Sequence, residues 1–326
     1  MKMITIIIAL LVSVVPVHAN SELPGVDKFI VEMESKYNFD GTQLTTIFSG
    51  VEVKDSILKA ISRPAEKSKP WYDYRKIFIT KKRIKGGVKF WQKHSDALMA
   101  AEEKYGVPAE IIVAILGVET RYGGNVGGYR VVDALSTLAF RYPPRSKFFR
   151  SELEHFLLLT REEDMSLLDP VGSYAGAMGL GQFMPSSYRA YAVDFDGDGK
   201  RDIWTNPIDA IGSIANYLNV HGWVAGESIT HRTHFINDVA TSLVEKGYKP
   251  SISREELSKA GVSLQLLPSG EDNIAIISLT QKKGEEYWLA RQNFYAITRY
   301  NHSRMYAMAV TQLAESIEVN YESTGK

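Results

Sequence analysis

Ala114-Ile115-Leu116-Gly117-Val118-Glu119-Thr120-Arg121-Tyr122-Gly123 places one carboxyl group inside a run that otherwise reads as a buried helix. Gly106-Val107-Pro108 opens the run, with proline where a first helical turn tolerates it, and Gly123-Gly124 stops it. Ile112, Leu116 and Glu119 fall at i, i+4 and i+7, so the carboxyl shares a helix face with aliphatic side chains. It also lies in the last turn, where the helix dipole disfavours negative charge. Burial and dipole both push a carboxyl pKa upward, the condition a general acid needs near neutral pH. The alternative is a glutamate that snorkels to solvent or pairs with Arg121, since structural ion pairs also perturb carboxyl groups.

Around this helix the chain is 326 residues long, with Lys+Arg and Asp+Glu balanced at 38 each and the basic residues scattered. That distribution argues against a nucleic-acid partner, which would call for a basic face. Residues 1–19 read as a secretory signal peptide: Lys2, a short apolar core, then Val17-His18-Ala19 with small residues at the cleavage positions. The core is too short for a stable membrane span, and zero cysteines leave no lipid-attachment site. A periplasmic protein without lipid anchor is expected. The mature chain, about 300 residues, must hold its core without disulfides and is long enough to do so. Seventeen tyrosines and five tryptophans suit sugar stacking, although most aromatics in any protein are core.

Helical patterning runs over 26–37, 41–51 and 81–104, with an extended connector over 62–72. From 107 to 223 helical runs alternate with glycine-rich loops. Residues 263–267, 273–279 and 286–290 read as short strands, and helix resumes from 293 to about 316. The expected architecture is mainly α (α+β): an N-terminal helical domain (20–104), a core (105–239), a small antiparallel β domain (240–291) and a C-terminal helical return (292–326).

The second motif is Ser173-Tyr174-Ala175-Gly176-Ala177-Met178-Gly179-Leu180-Gly181-Gln182-Phe183-Met184-Pro185-Ser186-Ser187. Gly176, Gly179 and Gly181 would let backbone approach a ligand closely. Ser173 and Gln182 can hydrogen-bond sugar hydroxyls and acetamides, and Phe183 and Met184 offer apolar contact. A phosphate-cradling loop is excluded, because no strand precedes it and no Lys-Ser/Thr ends it.

These two motifs together resemble the lytic murein transglycosylase B family (glycoside hydrolase family 103), and the likeness runs over most of the chain. The resemblance implies a lysozyme-like core, with Glu119 matching the catalytic glutamate. Ser173, Gln182, Phe183, Tyr217, Tyr300, Asn301 and Tyr306 match sugar-contacting positions, and Tyr74 fits a tyrosine lining the cleft. Arg145 matches one of two adjacent family arginines, but the other position is Pro144 here, which puts one substrate contact in doubt.

Asp194-Phe195-Asp196-Gly197-Asp198-Gly199-Lys200-Arg201-Asp202 has acids at positions 1, 3 and 5 and glycine at 6, between two helices, as in an EF-hand calcium loop. Oxygen ligands suit a hard cation and exclude a zinc site. Position 12, ordinarily a bidentate glutamate, is Thr205. The resemblance suggests a lengthened loop closed by Asp209, with Asp202 at position 9 and Lys200 at position 7. A structural calcium ion is expected, and no organic cofactor.

Ordinary glycosidases pair two carboxylates. Asp133 begins the next helical stretch, Glu152 and Glu154 lie on a later helix, and none sits in a setting like that of Glu119. The residues themselves support only acid-catalysed attack on a polysaccharide. The resemblance implies a single-acid lyase reaction on peptidoglycan that leaves 1,6-anhydromuramoyl ends. A water-using lysozyme-like hydrolase and a non-catalytic peptidoglycan-binding scaffold are the alternatives. The protein is expected to work as a monomer on glycan strands, with wall-remodelling proteins as possible partners.

Overall fold

The structure, a computed structural model, describes residues 22–62, 69–233, 239–244, 246–264, 267 and 273–324. The expected signal peptide therefore lies outside the described residues, as does most of the expected connector. The N-terminal helices are α1 (Val26–Tyr37), α2 (Gly41–Ser49), α3 (Asp55–Ile61), α4 (Trp71–Phe78), α5 (Lys81–Lys93) and α6 (Ser95–Tyr105). The expected helix over 81–104 is thus two. His94 leaves helical geometry, and its N–H closes α5 on the Phe90 carbonyl at 3.0 Å. Two starts are fixed by side-chain caps: Asp40 accepts from the Gln43 N–H and Thr80 from the Arg83 N–H.

The central helix is α7 (Ala109–Thr120), bounded by Pro108 and by Arg121 in left-handed geometry. Every residue from Ile111 to Val118 is buried, so the helix is enclosed all round rather than amphipathic. Then come β1 (Tyr129–Arg130), α8 (Val131–Arg141), a 3-10 turn (Pro143–Arg145), α9 (Ser146–Glu162), β2 (Val171–Gly172), α10 (Pro185–Tyr191) and α11 (Pro207–Val220). Strands β1 and β2 pair antiparallel, Tyr129 opposite Gly172. Helices α5, α6 and α11 pack on α7.

A second sheet has the order β3-β5-β4, all antiparallel: β3 (Thr230–Thr233), β4 (Ala275–Thr280) and β5 (Glu285–Ala290). Helices α12 (Val239–Val244) and α13 (Arg254–Lys259) lie between β3 and β4. Two of the expected strands are present. The third strand comes from 230–233, earlier than the expected boundary at 240, while Ser263 and Leu264 are not in a strand. Thr-His-Arg-Thr has no apolar alternation to announce it; pairing with β5 makes it a strand.

The chain returns through α14 (Gln292–Tyr300) and α15 (Arg304–Thr324). The last helix packs along both α7 and α5, so the C-terminal segment completes the core around Glu119. Among the described residues no helix is long and apolar enough to cross a membrane.

Candidate active site

Glu119 stands half-buried on the last turn of α7. The chain then reverses through two consecutive non-glycine residues in left-handed geometry, Arg121 (φ 56°) and Tyr122 (φ 61°). Such residues cost on the order of 1–2 kcal/mol each, so the surroundings must hold them. The Tyr122 hydroxyl donates to the Arg83 carbonyl at 2.8 Å, and its N–H to the Leu116 carbonyl at 3.1 Å. A Cβ on Gly117 would stand 2.5 Å from that hydroxyl, which is why glycine interrupts the aliphatic run there. Arg121 is exposed.

The carboxyl of Glu119 is held from the far end of the chain. Tyr306, on the first turns of α15, donates its phenolic proton to Glu119 Oε1 at 2.6 Å. Tyr306 lies 6.5 Å from Tyr300 with the rings nearly parallel, and Tyr300 lies 4.8 Å from Tyr217 and 5.7 Å from Phe183. Burial, reinforced by the charge of Glu119, raises the pKa of Tyr300 and of Tyr306 well above the ordinary phenol value. Both stay neutral donors across the working pH range. Tyr74, whose ring packs between Trp71 and Phe78, lies near enough to Tyr306 to add slightly to that rise.

The structure therefore brings Glu119, Tyr74, Phe183, Tyr217, Tyr300 and Tyr306 together, but not as open stacking platforms. Phe183, Tyr217, Tyr306 and Tyr74 are all buried, at most 8% exposed. Tyr217 donates to the Arg299 carbonyl at 2.6 Å, and Tyr300 donates to the Gly181 carbonyl. These hydroxyls brace the wall of the site. The three more open residues are different. Ser173 Oγ accepts from the N–H groups of Ala175 and Ala177, leaving its own proton to give. Gln182, itself left-handed at φ 53°, donates to the Val126 and Gly179 carbonyls. Asn301 ends α14 half-buried. Arg145 sits apart on the 3-10 turn, its guanidinium 4.3 Å over the Phe148 ring.

The motif glycines have a reason in the packing of the protein itself. A Cβ on Gly176 would meet Leu135 at 2.4 Å, on Gly179 the Ile203 carbonyl at 2.5 Å, and on Gly181 the Tyr300 hydroxyl at 2.9 Å. The protein's own packing already excludes a side chain at these three positions. Thr120 was not singled out from the sequence, yet it joins the two motifs. Fully buried, it donates to the Leu180 carbonyl at 2.9 Å and accepts from the Gly123 N–H at 3.0 Å. Its hydroxyl beside Glu119 in an otherwise aliphatic helix was the available signal.

The three carboxylates considered as partners for Glu119 are engaged elsewhere. Asp133 pairs with Arg130 at 2.7 Å and accepts from the Glu52 N–H. Glu152 accepts from Ser186 N–H and hydroxyl, and Glu154 binds Lys36 and Tyr37.

In the acidic loop, Asp194, Asp196 and Asp209 each turn an oxygen inward, within 4.8 Å of one another. Asp209 is fully buried, and burial, then the charge of Asp196, raise its pKa. It accepts from the Phe195 and Asp202 N–H groups at 2.8 Å each. Asp198 and Asp202 lie outside the converging set. Asp198 accepts from the Lys200 N–H, and Asp202 from the N–H groups of Trp204 and Thr205. Lys200 could contribute only its carbonyl. Three converging carboxylates without a soft donor fit a hard divalent cation.

One half-buried glutamate at a helix end, braced by neutral phenols and walled by a glycine-turn motif, defines a lysozyme-like glycan-cleaving enzyme. The chain belongs to the Transglycosylase SLT domain family, which it matches over residues 22–315. It is 45% identical over 303 residues to membrane-bound lytic murein transglycosylase B of Escherichia coli, covering 90% of this chain and 82% of that one. The crystal structure of soluble lytic transglycosylase SltB1 from Pseudomonas aeruginosa is 53% identical, with a TM-score of 0.86 over 93% of this chain and all of that one. The Escherichia coli lytic transglycosylase Slt35 in complex with calcium is 42% identical, with a TM-score of 0.84 over 93% and 96% of the two chains.

Proposed function

We propose that this chain is a peptidoglycan lytic transglycosylase, cutting the β-1,4 bond between N-acetylmuramic acid and N-acetylglucosamine with Glu119 as acid and then base. The observation that carries the assignment is the Tyr306–Glu119 hydrogen bond at 2.6 Å, made while Asp133, Glu152 and Glu154 serve other partners. Protonated Glu119 gives its proton to the glycosidic oxygen as the bond from C1 to that oxygen breaks. The 6-hydroxyl oxygen of the same muramoyl residue then bonds to C1, and Glu119 takes the hydroxyl proton. The enzyme is restored, no water is consumed, and the new end is a 1,6-anhydromuramoyl group. A tethered hydroxyl outcompetes external water through effective concentration.

Ser173, Gln182 and Asn301 are the proposed polar contacts to sugar, with Arg145 an outer contact. Tyr74, Phe183, Tyr217, Tyr300 and Tyr306 act chiefly as the wall that fixes Glu119. Calcium, bound by Asp194, Asp196 and Asp209, is the proposed structural ion, supported by the calcium complex of Slt35. The proposed location is the periplasm, supported by residues 1–19. The E. coli relative is named as membrane-bound, whereas this sequence offers no cysteine for lipid attachment.

Mass analysis of products from purified sacculi is the test. Each new muramoyl end is expected to be one water lighter than a reducing end and inert to borohydride. Borohydride-reducible ends would instead make the chain a lysozyme-like hydrolase.

A further inference from the structure

A cavity of about 600 Å³ opens between the end of α9, β2 and the acidic loop, and shares no lining residue with the Glu119 site. Its volume falls in the ~300–1,000 Å³ range of small-ligand sites. One wall presents the half-buried ring of Trp204, backed at 5.5 Å by the fully buried Tyr188, and Met165 and Val171 extend the apolar surface. That wall is stiff. The Tyr188 hydroxyl donates to the Arg201 carbonyl at 2.7 Å, and Arg201 is ion-paired with Glu163. Val171, on this wall, is 40% exposed, so its side chain is open to a ligand.

The rim carries Asp164, Asp169 and Lys200, whose side chains have no hydrogen-bond or ion-pair partner among the described residues. The indole N–H of Trp204 also has none. With Glu163 and Arg201 neutralising each other, Asp164, Asp169 and Asp202 outweigh Lys200. The net sign disfavours an anionic ligand, and an apolar partner would not call for so many hydrogen-bonding groups. A neutral polyhydroxyl ligand satisfies both constraints: sugar C–H faces stack on aromatic rings, and carboxylates accept from hydroxyls.

We infer that this cavity is a second glycan-binding site, which grips an N-acetylglucosamine residue of the strand outside the catalytic cleft. The inference rests on the proposed peptidoglycan activity for its source of ligand. Stem peptides bring carboxylates to the muramoyl residues, so the neutral N-acetylglucosamine residues are the ones that suit this acidic rim. Two sites on one polymer act through effective concentration, which raises retention on the wall without changing chemistry at Glu119.

The test uses the full chain carrying Glu119→Gln, which holds glycan without cutting it, titrated with the peptide-free oligosaccharide chitotetraose. The chain has five tryptophans, so Trp204 can be followed as one of five indole N–H signals, assigned through Trp204→Phe. The Trp204 signal is expected to shift on titration. Val171→Glu and, separately, Asp169→Ala should abolish that shift and weaken retention on insoluble sacculi by about tenfold. In the otherwise wild-type chain, both substitutions should leave turnover of short soluble glycans unchanged. A Trp204 signal unmoved when the cleft is saturated, or folded rim variants retained on sacculi like wild type, would overturn the second site. Wild type that leaves no anhydro ends on short glycans would sink the catalytic reading instead, and leave the Trp204 titration standing.

Discussion

Tyr306 reaches Glu119 across 187 residues of sequence, and the 2.6 Å hydrogen bond joins the first turns of α15 to the last turn of α7. The Glu119 carboxyl is therefore positioned by the C-terminal return of the chain. A phenol this deeply buried cannot ionise near neutral pH, so it always has a proton to donate.

Removing that donor should cost activity more than stability. Tyr306→Phe keeps the ring and its place beside Tyr300, and removes one hydrogen bond to a group that carries charge. Such bonds contribute about 1.5–3 kcal/mol, so kcat should fall roughly 10- to 100-fold with KM little changed. Glu119→Gln should fall further, by at least about 10²–10⁴-fold, because one residue performs both proton transfers. Wall-degrading assays on the two variants, with circular dichroism as the control for fold, check the ranking. Tyr306→Phe activity equal to wild type would show that Glu119 is held by other means.

Thr120→Val should loosen the joint between the two motifs. The substitution keeps shape but leaves the buried Leu180 carbonyl without its donor, at a cost of about 1–3 kcal/mol. Thermal denaturation should show the loss, and Thr120→Ser should recover most of it by restoring the hydroxyl. Equal melting temperatures for Val and Ser variants would mean that the hydroxyl does not matter.

Much of this site was legible because its logic is local. The helix over 109–120, the Glu119 carboxyl in its last turn and its glycine stop are all readable from spacing along one element. The acidic loop is similar, since the spacing of Asp194, Asp196 and Asp198 is itself the signal. What could not be read is tertiary. Nothing along the sequence says that Tyr217 and Tyr300 spend their hydroxyls on the carbonyls of Arg299 and Gly181, or that a Cβ on Gly176 would strike Leu135. Strand β3 was missed for the same reason, because its partner β5 is supplied from more than fifty residues later.

Calcium should stabilise the fold without altering the product. An ion that binds only the folded loop contributes by mass action, about 2.7 kcal/mol at a hundredfold excess over Kd. The melting temperature should rise with calcium and fall with chelator. Asp194→Ala should erase the response, and so should Asp196→Ala. Asp198→Ala should leave part of it, since Asp198 lies outside the converging set. A thermal scan indifferent to both additions would leave the loop as an ordinary acidic turn.

The last prediction concerns the other end of α7. Glu110, in the first turn of α7, faces a cavity of about 260 Å³ shared with Glu315 and Glu318 of α15. Burial first, then repulsion from Glu318 and Glu102, pushes its pKa up to about 7. For an acid with a raised folded pKa, the folded state keeps a proton that the unfolded chain has already lost. Stability from this group is thus fully present below the unfolded value near 4.5 and is lost as pH rises through about 7. Glu110→Gln removes the penalty and keeps the shape. The variant should match wild type at pH about 4 and exceed it at pH about 8, by on the order of 1 kcal/mol once partial exposure is allowed for. Denaturant melts at the two pH values measure the difference. A gain that is equal at both, or larger in acid, would show that Glu110 is not the titrating group.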